Sequence, residues 1–299
     1  MPTPSVSVII LTHNRPKLFK QCFNSIIAQL TFKDEVIIIN NNSTHETTKF
    51  IKQLIYKKAV SYIKYINNPT NSIPLARNIG IKKTQKSSSI IAFIDDDCIA
   101  DKNWLKQIKK SHLNHPQVFA VQGSTQSIPK NNFYTHLTSL FYQNWINSIK
   151  KNKHALSTFD TKNLSFKKSL WNKFKFKFDQ KLLRSSDINL GLKITNQNLI
   201  ILYNKNIKVF HKERVSLLGF LHQHFLFAKG EGQQQALNLI SKRHFSHIST
   251  LKSLIKKLWN KQQYFKIIQL SIALLGLFVI RLAFFCYYRC LSLTKKTFR

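Results

Sequence analysis

The sequence predicts an α/β protein with a doubly wound, Rossmann-like mixed sheet over residues 1–215 and a basic, apolar helical tail over 216–299. Three observations carry this expectation. Short runs rich in Val and Ile alternate with stretches of helical periodicity, polar clusters fall where those runs end, and the composition changes beyond Ser216. Alternating strand and helix signals indicate a largely parallel sheet covered on both faces.

Residues 5–11 (SVSVIIL) and 35–39 (EVIII) have the composition of strands buried on both faces. Between them Leu18, Phe19, Cys22, Ile26 and Ile27 recur at helical spacing over 16–30, which makes a βαβ unit of minimal length. The pattern continues with a helix over 45–57, a strand over 61–66, a helix over 73–84, a strand over 89–94 and a helix over 101–113. Residues 117–212 mix short strands with helices and are expected to continue the same domain.

With 43% hydrophobic residues, the 299-residue chain can bury a sizeable core, which excludes wholesale disorder. Seven glycines exclude a collagen-like chain, and no fixed period points to a solenoid or propeller. Four cysteines, Cys22, Cys98, Cys286 and Cys290, lack zinc-site spacing and are expected to be reduced. No signal peptide is expected, because Met1 leads directly into an apolar strand, so the catalytic part should face the cytosol.

The formal net charge is +35, from 47 Lys and Arg against 12 Asp and Glu, which points to a polyanionic partner. Heavy use of Lys, Asn, Ile and Phe throughout suggests that part of this excess is compositional drift. Its distribution is more specific. After Glu231 there is no acid, whereas Lys242, Arg243, Lys252, Lys256, Lys257, Lys261, Lys266, Arg281, Arg289, Lys295, Lys296 and Arg299 follow. Residues 217–240 are apolar with helical periodicity, and 267–280 hold fourteen residues without a charge. A bilayer span needs about 20 apolar residues. Extension through Tyr288 reaches that length but encloses Arg281, which costs about 2.5–3.5 kcal/mol at mid-bilayer. Three readings stay open: a single span, a helix pair in the interface, or a buried soluble helix. The first two make anionic membrane lipids a partner.

The strongest chemical signal is Asp95-Asp96-Asp97, directly after the apolar run 90–94. Open α/β sheets bind ligands at the carboxyl ends of their strands, and hard cations such as Mn²⁺ or Mg²⁺ favour carboxylate oxygens shared with substrate phosphates. The competing reading is a solvated loop or a helix cap, a task to which Asp101 is better suited. Two weaker signals lie at the neighbouring strand ends. Thr12-His13-Asn14-Arg15-Pro16 can present donors to an anion, and Asn40-Asn41-Asn42-Ser43-Thr44 would meet a ligand crossing the same edge or form a capped turn.

Together these residues resemble the family 2 glycosyltransferases with the GT-A fold. SVSVIILTHNR at 5–15 looks like the family's strand followed by T-x-N-R, and NNNSTHET at 41–48 is similar to its D-D-G-S-T-D loop. Ala76-Arg77-Asn78-Ile79-Gly80 matches A-R-N-x-G, while Asp95 and Asp97 satisfy D-x-D. Asn163-Leu164-Ser165-Phe166-Lys167 looks like the N-x-x-F-[RK] segment. Phe178-Asp179, Ser186-Asp187 with Leu190, and Val209-Phe210-His211 resemble the family's later elements. The resemblance covers about residues 5–215.

It implies an inverting, metal-dependent transfer of a hexosyl or deoxyhexosyl group from a nucleotide-sugar donor to a glycan or lipid-linked acceptor. Such transfers, as in cell-envelope polysaccharide synthesis, would occur at the cytosolic membrane face. Asp97 would bind Mn²⁺ or Mg²⁺, with Asp95 contacting the ribose or seconding the metal and His211 completing the shell. Asp96 would orient the group. Thr12, Asn14, Arg15, Asn40, Asn41 and Arg77 would line the nucleotide sugar, Asn163 the acceptor side, and Asp187 would be the base. Two positions depart from the pattern: Asn40 or Asn41 stands for the acidic residue that reads the nucleotide base, and Ser186 for the Glu of E-D. A second class of function, a non-catalytic relative that keeps the fold and binds membranes, shares the same features. Nucleic acid is not an expected partner, since no nucleic-acid module is recognisable.

Overall fold

The computed structural model describes residues 3–57, 62–152, 154–182, 184–236 and 264–296. In chain order the elements are β1 (Val6–Thr12), α1 (Pro16–Ile27), β2 (Glu35–Asn41), α2 (His45–Tyr56), β3 (Ile63–Asn68), α3 (Ile73–Lys82), β4 (Ile90–Asp95), β5 (Cys98–Ala100) and α4 (Trp104–Asn114). They continue with β6 (Ala120–Ile128), α5 (Phe133–Ser148), β7 (Ala155–Leu156), β8 (Asn163–Lys167), α6 (Lys168–Phe174), α7 (Ser186–Asn196), β9 (Ile201–Lys212), α8 (Leu217–Ala236) and α9 (Tyr264–Lys296). The expected mixed α/β sheet is present. Its order is β3-β2-β1-β4-β8-β6-β9-β5, with β7 paired to β9. The strands β3, β2, β1 and β4 run parallel, and β8 returns antiparallel beside β4. Of the expected first domain's strands, only the start of the third, at Ser61, lies outside the described residues.

Local chemistry explains the elements. Every residue of β2 is buried, as β-branched side chains packed on both faces require. Pro16 opens α1, which buries Phe19, Cys22, Phe23 and Ile26 against the sheet. Thr44 caps α2 by accepting from the Thr47 amide, and Ser72 caps α3 by accepting from Leu75. Gly80 lets α3 approach β1: a Cβ there would lie 2.7 Å from Ile9 Cγ2. One face of the sheet packs Val8, Ile10, Val36 and Ile38 against α1 residues, and an aromatic group of Phe93, Phe119, Phe166, Trp171 and Phe178 packs in a second cluster. Each such buried side chain contributes about 1.5–3 kcal/mol.

At the amino ends of the strands, fully buried Asp34 accepts from the Val6 amide at 2.9 Å and pairs with Lys109 Nζ at 2.7 Å. Glu35 takes Ser7, the Gln85 amide and Lys64. These acids are structural, and breaking such a buried pair costs about 3–5 kcal/mol. Cys22 and Cys98 are free and buried.

The chain divides into two compact units. The first holds the sheet. The second groups Ser127–Ile149, which holds α5, with the described residues from Glu213 onward. The reason is the apolar face of α5: Leu137 and Phe141 pack with Phe220 of α8 and with Leu270, Ala273 and Leu277 of α9. Among the described residues no helix is long and apolar enough to cross a membrane, which corrects the spanning alternative for 267–288. Gln269, Ser271 and Arg281 dilute the run. The tail cations from Lys242 to Lys261, Arg299, and the expected helix end at 237–240 lie outside the described residues.

Candidate active site

β1 and β4 are parallel neighbours with Leu11 opposite Asp95, so their carboxyl ends open at one edge. After β1 the chain turns through Asn14 at φ 53°, and after β2 through Asn42 at φ 61°, left-handed conformations that Asn tolerates. Asn14 Oδ1 accepts from the Thr44 amide at 2.7 Å, and its own amide donates to Ser43 Oγ at 3.1 Å, which locks the two loops together. That turn carries Arg15 back across the edge. Its Nη1 donates to Asp97 Oδ2 at 2.8 Å and to Asp96 Oδ1 at 3.2 Å.

β9 supplies the other side. Cys98 of β5 pairs in register with His211, and the Lys212 amide donates to the Asp97 carbonyl at 2.9 Å. His211 Nε2 therefore lies 3.2 Å from Asp97 Oδ1, so this carboxylate is held between imidazole and guanidinium. Burial pushes Asp95 up to about 6 and Asp96 up to about 7, with repulsion from Asp97 adding to each. Asp97 differs. Burial would raise it too, but His211 and then Arg15 outweigh that and hold it well below the ordinary carboxylate range. The triplet thus presents one firmly charged carboxylate beside two that hold protons more readily.

One donor atom from each of Asp97, Cys98 and His211 lies within 4.8 Å of the others. Burial drives the Cys98 thiol above its usual range, and its soft sulfur is the donor least suited to a hard cation. What remains is a carboxylate oxygen and an imidazole nitrogen, a donor set that fits Mn²⁺ or Mg²⁺ with phosphate oxygens completing the shell. Thr12 is buried at the end of β1 with its hydroxyl facing Asp96.

A second carboxylate stands at the start of α7. Ser185 precedes it with a left-handed backbone, φ 57°, and Asp187 is the second residue of the helix rather than its cap. Asp187 Oδ1 accepts from the Ile188 amide at 3.0 Å, and Oδ2 faces Thr161 Oγ1 at 3.4 Å and Arg77 Nη2 at 3.8 Å. Arg77 also donates to Thr161 Oγ1 and to Ser186 Oγ and lies over the Phe178 ring, 5.2 Å from its centroid. Its charge lowers Asp95 as well, so Arg77 links the two acidic centres. Its neighbours in the A-R-N-x-G segment of α3 are structural: Asn78 bonds both backbone groups of Phe178, and Gly80 makes room for β1.

Three residues expected at the ligand make extensive bonds within the protein. Asn40 is fully buried, its amide donating to Thr48 Oγ1, Tyr65 OH and Asn67 Oδ1 and its carbonyl accepting from Ser43, so it braces the β2–α2 corner. Asn41 is also buried, exchanging bonds with Asn68 and Asn71, and Asn42 is the exposed amide of this loop. Asn163 donates to the carbonyls of Ser124 and Ile207, both at 2.9 Å, and accepts from Trp104 Nε1 at 2.8 Å. All its capacity holds β6, β9 and α4 to β8, and Gly123 leaves the space, since a Cβ there would collide with the Asn163 amide.

One contributor was missed. Ile94 pairs with Asn163 in the antiparallel β4–β8 register, which puts Lys162 at the level of Asp95. Its charge lowers both Asp95 and Asp97, and Nζ is 3.8 Å from Asp160 Oδ2. Only its position just before the Asn163 motif could have signalled it.

The profile described as "Glycosyl transferase family 2" matches residues 7–177. The chain is similar to glycosyltransferase AglE of Haloferax volcanii, 32% identical over 107 residues that make up 35% of this chain and 34% of that protein. It is also similar to glycosyltransferase GlyA of Streptococcus pneumoniae, 20% identical over 265 residues, 84% of this chain and 37% of that one. The chain thus matches about a third of the length of these curated relatives. Mannosyltransferase PcManGT from Pyrobaculum calidifontis, solved in complex with GDP-Man and Mn²⁺, shares the fold with a TM-score of 0.64 at 17% identity, covering 100% of this chain and 81% of that one. The family profile accounts for more than half of the chain and takes in both the strand-end loops and the Asp95–Asp97 triplet: the chain belongs to glycosyl transferase family 2.

Proposed function

We propose that the chain is an inverting, divalent-cation-dependent glycosyltransferase that moves a hexosyl or deoxyhexosyl group from a nucleoside diphosphate to a hydroxyl of a glycan or lipid-linked acceptor. One observation carries the reading: Asp97 lies between His211 and Arg15, and Arg77, which pairs with Asp187, also acts on the charge of Asp95 in the same triplet. The complex of PcManGT with GDP-Man and Mn²⁺ supports the choice of donor class and ion.

Asp97 and His211 would hold Mn²⁺ or Mg²⁺, which supplies positive charge to the departing diphosphate. Arg15, whose side chain remains 42% exposed, can turn from Asp97 towards the phosphates, and Lys162 adds a second cation to the same field. Asp187 takes the acceptor proton as the acceptor oxygen bonds to the anomeric carbon. The bond from that carbon to the phosphate oxygen breaks, and its electron pair leaves with the diphosphate. A single base acting opposite the leaving group inverts the configuration. Arg77 and Thr161 keep Asp187 oriented for this. The reading includes the cytosolic membrane face as the place of action, for which the basic tail is the support.

The test is to incubate the purified chain with UDP-, dTDP- and GDP-sugars and Mn²⁺ or Mg²⁺, following donor hydrolysis and the melting temperature. A metal-dependent rise in melting temperature with one nucleotide class, and turnover of its sugar, is expected. Absence of both would leave a non-catalytic relative that keeps the fold.

A further inference from the structure

The helix α9 has two apolar faces. One carries Leu270, Ala273 and Leu277, which are buried with Phe220 of α8 and Leu137 and Phe141 of α5. On the opposite side Ile268, Ile272, Leu275, Phe278 and Val279 follow helical spacing and are 57%, 50%, 65%, 56% and 56% exposed. A helix whose function ended with packing on α8 would carry polar side chains there. Instead, residues 267–280 contain no charge. In α8, Leu218, Phe225 and Phe227 are exposed as well.

Charge selects the occupant. Exposed Lys266 stands at the start of α9, Lys295 and Lys296 at its end, and no acid occurs anywhere after Glu231. A second copy of the chain would set this cationic tail against an equally cationic one, whereas a surface bearing phosphate headgroups complements it. The helix is also too short in apolar residues to cross a bilayer. We propose that the Ile268–Val279 face of α9 docks into the interface of an anionic lipid bilayer, with the helix lying in the membrane plane. Apolar side chains then enter the headgroup boundary while the flanking lysines meet lipid phosphates, two contributions that act together. This proposal deepens the membrane-face part of the proposed function, and its test involves no donor, acceptor or turnover.

Flotation of the full chain with vesicles tests it, using phosphatidylglycerol mixed with phosphatidylcholine against phosphatidylcholine alone. The chain should float with the mixed vesicles and far less with the neutral ones. The double variant Leu275→Glu/Phe278→Glu, altered only at exposed positions, should lose at least about tenfold in binding, the order expected when two large apolar side chains stay in water. Its circular dichroism and melting transition report whether it is folded, and Leu275→Ser/Phe278→Ser serves if it is not. Undiminished flotation of the folded variant, equal binding to neutral vesicles, or no binding to either would overturn the proposal. So would a dimer in vesicle-free buffer that the same substitutions dissociate, since the face would then belong to a second copy.

Discussion

Two polar triplets follow buried parallel strands in this protein, Asn40–Asn42 after β2 and Asp95–Asp97 after β4, and they have opposite fates. Asn40 and Asn41 are absorbed by Thr48, Tyr65, Asn67, Asn68 and Asn71, so that the loop is braced from within. The aspartates cannot satisfy one another. They are acceptors at close quarters, and they draw Arg15, His211 and Lys162 from three other segments. An amide triplet carries its own donors and closes on itself, while a carboxylate triplet stays dependent on cations from elsewhere. That dependence leaves room for an added cation.

The comparison breaks most sharply if Asp97→Asn retains metal-dependent nucleotide binding. It should instead abolish it, as read by calorimetry with UDP or GDP and Mn²⁺, in a variant that circular dichroism shows to be folded. Next in size, Asp187→Asn should leave donor affinity nearly unchanged and lower turnover by a factor of about 10²–10⁴, the usual contribution of a positioned base. Equal turnover would reduce Asp187 to a helix-end residue. On the amide side the effect should move from activity to stability. Asn40→Leu removes a buried group that satisfies four others, with an expected loss of about 1–3 kcal/mol in urea unfolding and little change in the Michaelis constant for the donor.

The smallest expected effect is on pH. Asp95 and Asp96 titrate higher in the folded chain, at about 6 and about 7, than an unfolded carboxyl does. The folded state therefore binds more protons in that window, and stability without metal should fall as pH rises from 5 to 8. Asp97 acts in the opposite sense, with stability lost on acidification, but only below the ordinary carboxylate range. Unfolding curves at pH 5 and pH 8 with EDTA should show the decline, and Mn²⁺ should flatten it. A stability that climbs over that interval in EDTA would contradict the buried, mutually repelling placement of these acids.

The parallel half of the sheet was legible because Val and Ile runs bounded by polar loops have little else to be. Asp97 stood out in the sequence because acids are few in this chain and the triplet closes a buried run, and Arg15 because it follows the first such run; Arg77, Asp187 and His211 were singled out only by the resemblance to family 2. The antiparallel half was less so. β5 has three residues and β7 two, too short for any period to register, and their pairings with β9 depend on the whole sheet being assembled. Lys162 is one lysine in a lysine-rich chain until β8 sets it beside Asp95. The packing partners of α5 were not legible because an apolar stripe does not name the surface it will meet. The bracing role of the asparagines was hidden for a related reason: an amide suited to a nucleotide base is equally suited to a neighbouring strand.

Trp104, Gly123 and Asn163 form a three-part lock, with the indole N–H and two carbonyls on one amide and a missing side chain beside it. Replacement of Gly123 collides with the amide, and replacement of Asn163 strands the buried indole N–H and takes a donor from two carbonyls. A change at any one of the three is therefore felt in β6, β8 and α4 at once, so the trio behaves as a single joint.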